Sequence, residues 1–302
     1  MLNLLRRMRL NNEEQNYLNL LKKIRDEGTY VEDRTGTGCY SLFGETLRFD
    51  LSKGFPLFTT KTINFNNIVG ELLWFLSGKT DLPSLREYSC KPEGAPTIWS
   101  DDYEKYESAW GSDEELGSIY GRQWRQHSTG SVSEHDQIEQ LLCDLRKVVK
   151  GSPTKARRLI LQSWNPYDHT VGDKSWCALP ACHTDCQFIV RGNKLNIKFN
   201  MRSSDVFLGL PYNIASYATL CHIFAKLTGL EVGELWCTMV DVHIYSNHMD
   251  AVNEQVQRTP NDFGQLELPE FDSLESLLEL RSDDFKVNQY QPQGWIKAKQ
   301  AS

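Results

Sequence analysis

The chain predicts an α+β fold, a large twisted mixed sheet covered by helices, in a single domain spanning residues 1–302. Three observations carry this. Segments of period two and segments of helical period both occur, but they do not alternate strictly, as a doubly wound α/β protein would require. No internal repeat or low-complexity tract interrupts the chain. At 302 residues the chain is long enough to bury a substantial core.

The elements follow in order. Residues 12–27 place Tyr17, Leu18, Leu20, Leu21 and Ile24 at helical spacing. Residues 37–51 alternate and are rich in aromatic and β-branched types, which predicts paired strands turning near Gly44. Residues 68–76 are apolar except at Gly70 and Glu71 and predict a buried helix. Residues 91–117, rich in Pro, Gly, Ser and acids, predict an irregular insertion. Residues 136–150 form an amphipathic helix. Residues 158–164, 186–190 and 195–201 predict strands, 213–227 an apolar helix and 234–245 a further strand. The tail, residues 260–302, is polar and is expected to pack loosely.

Charge and composition narrow the function. The net charge of -7 argues against coating duplex nucleic acid, which needs clustered Lys and Arg to neutralise phosphates. It leaves room for a small phosphate in a local Arg pocket. No apolar run reaches the ~18 residues of a membrane span. The N-terminal MLNLLRRMRLNNEEQ has no apolar stretch with a small-residue cleavage site, so no secretory signal is expected. Eight cysteines are scattered without a CxxC pair, which argues against a zinc ribbon and for free thiols in a cytoplasmic protein.

Chemistry concentrates in a few places. In ALPACH, Pro180 fixes the approach to Cys182, whose thiolate would be a nucleophile if cations lay nearby. The competing reading is a small buried core residue. A Cys–His protease dyad is a third, disfavoured because Cys182 and His183, adjacent on a strand, point to opposite faces. Arg34, Arg157, Arg158 and Arg202 are each surface ion-pair residues or, together, a guanidinium cluster suited to a phosphate monoester. Arg157 and Arg158 open a strand and diverge. Ser203 adds a hydroxyl beside Arg202. Glu71 interrupts an apolar helix, and a lone carboxylate there is either hydrogen-bonded or functional. Asn213 carries the donor–acceptor pair that reads a uracil edge, or caps a helix after Pro211. His243 and Tyr245 share a strand face and suit a sugar hydroxyl; a metal would need a third ligand, and none is spaced for it.

The motifs EDRTGTG, GFPLFTTK, ELLWFLSG, YGRQW, ARRLI, SWNP, ALPACH, RSSDVFLGLPYNIASYA and DVHIYSNHMD, in this order, resemble those of thymidylate synthase and its nucleotide hydroxymethylase relatives. The likeness runs from about residue 33 to 250, with a weaker echo at 290–298. It implies a homodimer with the sheet at the interface and 5,10-methylenetetrahydrofolate as carbon donor. It implies that Cys182 attacks C6 of a pyrimidine. Arg34, Arg202 and Ser203 then hold phosphate, and Arg157 and Arg158 reach the partner's site, which removes their divergence problem. Asn213 reads uracil, since cytosine-specific relatives resemble this motif with Asp there. His243 and Tyr245 meet the ribose. Glu71, Tyr120 and His183 handle protons around C5 and O4. Asp205, Trp99, Gly209, Lys61 and the tail near Ala301 serve the folate.

Departures from the family pattern gather on the folate side. Asp102 replaces a second Trp, with Tyr103 adjacent. Asp185 and Cys186 replace an apolar pair, and Met201 replaces a Gln. Residues 62–66 lack the basic character usual there, which leaves the binding of a polyglutamate tail open. The chain ends Lys297-Ala-Lys-Gln-Ala-Ser302, which should seal an apolar site poorly. These changes narrowly favour a dUMP hydroxymethylase, of the sort phages with modified DNA use. A thymidylate synthase making dTMP stays close behind, and a non-catalytic nucleotide or RNA binder on the same fold is the reading from another class.

Overall fold

A computed structural model describes residues 12–33, 36–105, 114–128, 134–170 and 176–299, the side chains of 169 and 170 excepted. Among these, a six-stranded sheet orders its strands β1-β2-β6-β5-β4-β3. The strands are β1 (Thr29–Val31), β2 (Cys39–Asp50), β3 (Ile160–Gln162), β4 (His183–Arg191), β5 (Lys194–Asp205) and β6 (Glu231–Tyr245). Only β5 and β6 pair in parallel; every other neighbouring pair is antiparallel. The principal helices are α1 (Asn12–Glu27), α2 (Phe65–Ser77), α3 (Tyr120–Arg125), α4 (Gln137–Val149), α5 (Leu210–Thr228) and α6 (Met249–Gln255).

Local chemistry explains the element ends. The Asn64 side chain accepts the Asn67 N–H and caps α2, whose other end stops at Gly78 in the left-handed region, φ 80°. Asp136 caps α4 through the Glu139 N–H. Pro211 sits in the first turn of α5, where its missing N–H costs nothing. Along β5, Leu195, Ile197, Phe199 and Met201 point inward and are buried, in register with Leu235, Cys237 and Met239 on β6. Helix α5, which joins these two strands, buries Ile214, Ala218, Cys221 and Phe224 in the same core.

The opposite sheet face behaves differently. There Val240 is 52% exposed and Trp236 38%. Asp185, Asn200 and Thr238 form a hydrogen-bonded row across it, 2.7 and 2.6 Å apart.

Three expectations need correction. The paired strands around Gly44 do not form: β2 runs unbroken through Gly44, φ 78°, and pairs with β6 over its whole length. Gly signals a turn but equally permits an irregular residue inside a long strand. Arg157 and Arg158 do not open a strand; they lie in the exposed turn before β3, which begins only at Ile160. The tail is not loose. Phe271, Leu274, Leu277 and Phe285 are buried in the core, and strands β7 (Gln265–Glu267) and β8 (Lys286–Asn288) pair.

Beyond β8 the chain is a strap. Gln293 N–H donates to the Thr59 carbonyl at 2.8 Å, Thr62 N–H to the Gly294 carbonyl at 3.0 Å, and Arg258 to the same carbonyl at 3.1 Å. The segment it follows is itself pinned. The buried Glu14 carboxylate of α1 accepts both the N–H and the hydroxyl of Thr59 and of Thr60, at 2.7–2.9 Å. Four donors offset the cost of burying that acid, whose pKa burial still raises. No helix among the described residues is long and apolar enough to cross a membrane.

Candidate active site

Cys182 ends the PAC turn immediately before β4. Its N–H donates to the Tyr120 hydroxyl at 2.7 Å. Its neighbour across the sheet is Arg202 of β5, whose own N–H donates to the Cys182 carbonyl at 2.9 Å. The Arg202 guanidinium donates to the carbonyls of Ala181 at 2.8 Å and Pro180 at 3.0 Å, and its Nη2 stands 3.8 Å from Cys182 Sγ. The Trp164 ring lies under it at 5.4 Å. One residue thus fixes the turn carrying the thiol and sets positive charge beside it, the setting in which a thiolate is stabilised. Arg202 Nη1 makes no hydrogen bond among the described residues, which leaves a donor for an anionic ligand.

His183 takes no part in activating that thiol. Its ring turns inward, stacks on Tyr120 at 3.8 Å and 6°, and shares a hydrogen bond between Nδ1 and the Tyr217 hydroxyl at 2.7 Å. Burial pushes its pKa down to about 3, so it stays neutral. The alternation of the strand separates the two side chains, and a Cys–His dyad is excluded.

Glu71 projects from α2 with Trp99 Nε1 donating to its Oε1 at 2.7 Å. Burial pushes its pKa up to about 7; the indole hydrogen bond and the Lys91 charge pull the other way. A carboxyl poised near neutrality can both give and take a proton. Trp99 is buried edge-on against Phe75 and Tyr120, which joins this group to the His183 stack.

At the ends of β5 and β6 lies a second cluster, whose centre the sequence reading missed. Asp241 accepts from Ser41 at 2.5 Å and from Ser203 at 3.1 Å, and pairs with His243 Nδ1 at 3.1 Å. The His243 hydrogen bond, with those of the two hydroxyls, holds its carboxyl down to about 2. Tyr245 packs edge-on against His243 at 5.0 Å. The signal was present: in Asp241-Val-His243-Ile-Tyr245, period two puts all three polar residues on one face. Trp164 and Tyr217 were likewise unassigned.

Asp205 closes β5 as a turn cap. Its Oδ1 accepts the N–H groups of Phe207 at 3.1 Å and Leu208 at 3.0 Å, while Oδ2 accepts nothing among the described residues. A Cβ at Gly209 would lie 3.4 Å from the Asp205 carbonyl and 3.9 Å from Asn213 Oδ1, so glycine keeps the space between these two polar groups open. The Asn213 side chain, in the first turn of α5, has no hydrogen bond among the described residues. Asp205 Oδ2 and the Gly209 gap are chemically suited to the polar edge of a heterocycle such as a pterin, and the Asn213 amide to that of uracil. Lys61 is turned inward: it is buried, donates to the Phe207 carbonyl and rests 3.8 Å over the Phe207 ring. Burial lowers its pKa to about 8.

The structure brings together Cys182, Tyr120, His183, Arg202, Glu71 and Trp99, and gathers Ser203, His243 and Tyr245 around Asp241. Arg157 and Arg158 are exposed, and neither guanidinium has a partner among the described residues. Arg34 and Ala301 lie outside the described residues. A family model described as thymidylate synthase matches residues 15–302.

Proposed function

The chain belongs to the thymidylate synthase family and is a one-carbon transferase acting from 5,10-methylenetetrahydrofolate on C5 of dUMP; we propose that its product is 5-hydroxymethyl-dUMP. The observation that carries the product reading is Asp102. It stands half-buried on the helix Ser100–Lys105, one turn from Trp99, at a position where the resemblance leads one to expect a second indole. A carboxylate there draws water into the folate half. The Lys- and Gln-bearing end of the tail supports the same reading.

Cys182 forms the S–C6 bond, and the electron pair released passes through C5 towards O4. Arg202 stabilises the thiolate before attack and, through Nη1, offers a donor to the phosphate, with Ser203 beside it. Asn213 reads the uracil edge. His243 and Tyr245 meet the ribose, held by Asp241. The neutral Glu71 carboxyl serves O4 and, once ionised, accepts the C5 proton; Tyr120 and His183 hold the thiol's turn and the inner wall. The folate supplies, when bound, a carbon at the oxidation level of formaldehyde, with Asp205, Gly209 and Trp99 as its site. With that carbon bonded to C5 and its bond to the folate nitrogen broken, water adds to the exocyclic methylene of the base, and the C6–S bond then breaks to release the hydroxymethyl product and return Cys182 as thiolate.

The exposed Trp236 and Val240 on the outer sheet face support a homodimer through the sheet. Arg157 and Arg158, without a guanidinium partner among the described residues, then serve the other subunit's phosphate. A specific observation favours the rival product, dTMP: Trp99 remains buried on Glu71, in position to shield the folate half. Incubation with dUMP and methylenetetrahydrofolate separates the two. Hydroxymethyl-dUMP with tetrahydrofolate is expected; dTMP with dihydrofolate overturns the product reading. A covalent adduct with 5-fluoro-dUMP, seen by mass spectrometry, tests the catalytic reading against simple nucleotide binding.

A further inference from the structure

One carboxylate wires the cluster at the ends of β5 and β6. Asp241 lies opposite Ser203 across the β5–β6 pair, and His243 lies opposite Ser41 across β2–β6. Ser41 donates to Asp241 Oδ1 at 2.5 Å and Ser203 to Oδ2 at 3.1 Å, so the carboxylate is held from both neighbouring strands. His243 is buried on the same face, with Nδ1 3.1 Å from that Oδ2, and Tyr245 packs edge-on against its ring. The hydrogen bonds from His243, Ser41 and Ser203 hold the Asp241 carboxyl at about 2, so it is ionised at neutral pH. An ionised carboxylate only accepts, which puts a ring proton on Nδ1. A neutral imidazole has one such proton, and its other nitrogen is then a bare lone pair. Nε2 of His243 makes no hydrogen bond among the described residues.

We propose that Asp241 is a positioning residue that sets sugar specificity: by claiming the His243 ring proton it makes Nε2 an acceptor, which a ligand must meet with a hydroxyl. The inference rests on the reading of His243 as a ribose contact. Asp241 acts through the ring and needs no contact with the nucleotide. In dUMP the 5′ oxygen carries the phosphate, C1′ the base, and C2′ no oxygen, so the 3′-hydroxyl is the one sugar donor available. Its O–H satisfies the buried lone pair. A sugar of the same size without a 3′ donor leaves that lone pair unpaired, and a site built to meet a hydroxyl rejects the analogue lacking it. The division of labour is that of the aspartate that fixes the histidine tautomer in a Ser–His–Asp triad, turned here from catalysis to recognition.

Two measurements test this on the full-length protein. Nitrogen-15 NMR of the imidazoles, with the His243 signals assigned by their loss in His243→Gln, is expected to show Nδ1 protonated and Nε2 bare at neutral pH. A proton on Nε2, in the other tautomer or in a cation, overturns the proposal. Binding of dUMP is then compared with that of its 3′-fluoro analogue, which matches the hydroxyl in size but donates nothing. The native protein should bind the fluoro compound about ten- to hundredfold more weakly. In Asp241→Asn the Ser41 hydroxyl keeps the amide oxygen on its own side, and the amide N–H turned to Nδ1 moves the ring proton to Nε2. The gap between the two nucleotides should then shrink to about threefold or less, with KM for dUMP raised and kcat little changed. An undiminished gap in the variant sinks the role of Asp241 alone. Equal binding of both nucleotides to the native protein removes the ribose reading of His243, and the specificity with it. Should the variant fold poorly, the NMR of the native protein decides, since it needs neither the variant nor a ligand.

Discussion

The two halves of the site are built in different ways. Around Cys182 the functional groups are already committed to the protein: the thiol's turn is fixed by Arg202 and Tyr120, and His183 is locked between Tyr120 and Tyr217. Around Asp205 the groups are held back: Asp205 Oδ2 and the Nδ1 of the buried His248, 4.0 Å from Asp205 Oδ1, lack hydrogen-bond partners among the described residues. A preorganised half costs no reorganisation when charge develops. An open half can adjust, and its few unmade contacts are where outcome is decided. The difference teaches that attack on the base and the fate of the transferred carbon are set by separate parts of one pocket.

Substitutions should respect that division. Cys182→Ala, the severest change, is expected to cut turnover by at least about 10⁴-fold, the scale seen when a covalent nucleophile is removed, and to abolish the 5-fluoro-dUMP adduct. Tm should barely move, because the side chain is only half-buried; a large Tm loss would show the thiol to be structural and break the comparison. Arg202→Lys keeps charge but loses the fork on the Ala181 and Pro180 carbonyls, and a misplaced nucleophile costs about 10²-fold in kcat/KM. Equal loss of folate affinity would argue that the halves are not separate.

Glu71 sharpens the contrast through pH. Below about pH 4.5 the carboxyl is protonated whether the chain is folded or unfolded. Between 4.5 and about 7 the unfolded chain releases the proton and the folded one keeps it, so stability falls as pH rises; above 7 the loss is complete. Glu71→Gln should therefore gain roughly 3 kcal/mol over the native protein at pH 8, and nothing at pH 4, while turnover collapses. Urea melts at the two pH values check it, and a flat difference between them would place Glu71 in an ordinary solvated setting. The mildest expected effect is that of Asp102→Trp: dUMP binding unchanged and product shifted a few-fold towards dTMP, read by chromatography of the nucleotide products. An unchanged ratio would remove Asp102 as the determinant.

Much of this was legible because strand periodicity is simple. Alternation alone separated Cys182 from His183, and the apolar run around Glu71 marked a costly acid. Fold class and the main helices followed from patterning in the same way. What failed depended on partners distant in sequence. Gly44 looks like a turn until β6 is seen lying beside it. Asp241 looks like one acid among many until Ser41, 200 residues earlier, donates to it. The strap reads as polar, yet its backbone rather than its side chains ties it to Thr59, Thr62 and His248. Arg157 and Arg158 meet no partner among the described residues that would show a role.

The pairing of β5 with β6 in parallel has an engineering consequence. Because α5 carries the chain back before β6 starts, Asp205 and His243 meet at the same end of the sheet, and the α5–β6 turn at Gly229 falls at the other. A hairpin would have brought Glu231 next to Asp205 instead. One residue added within β6 would turn His243 and Tyr245 to the wrong face. Residues added at Gly229, φ 71° with open space beside it, should leave both clusters where they are. That turn is the natural point for a reporter dye or a grafted loop.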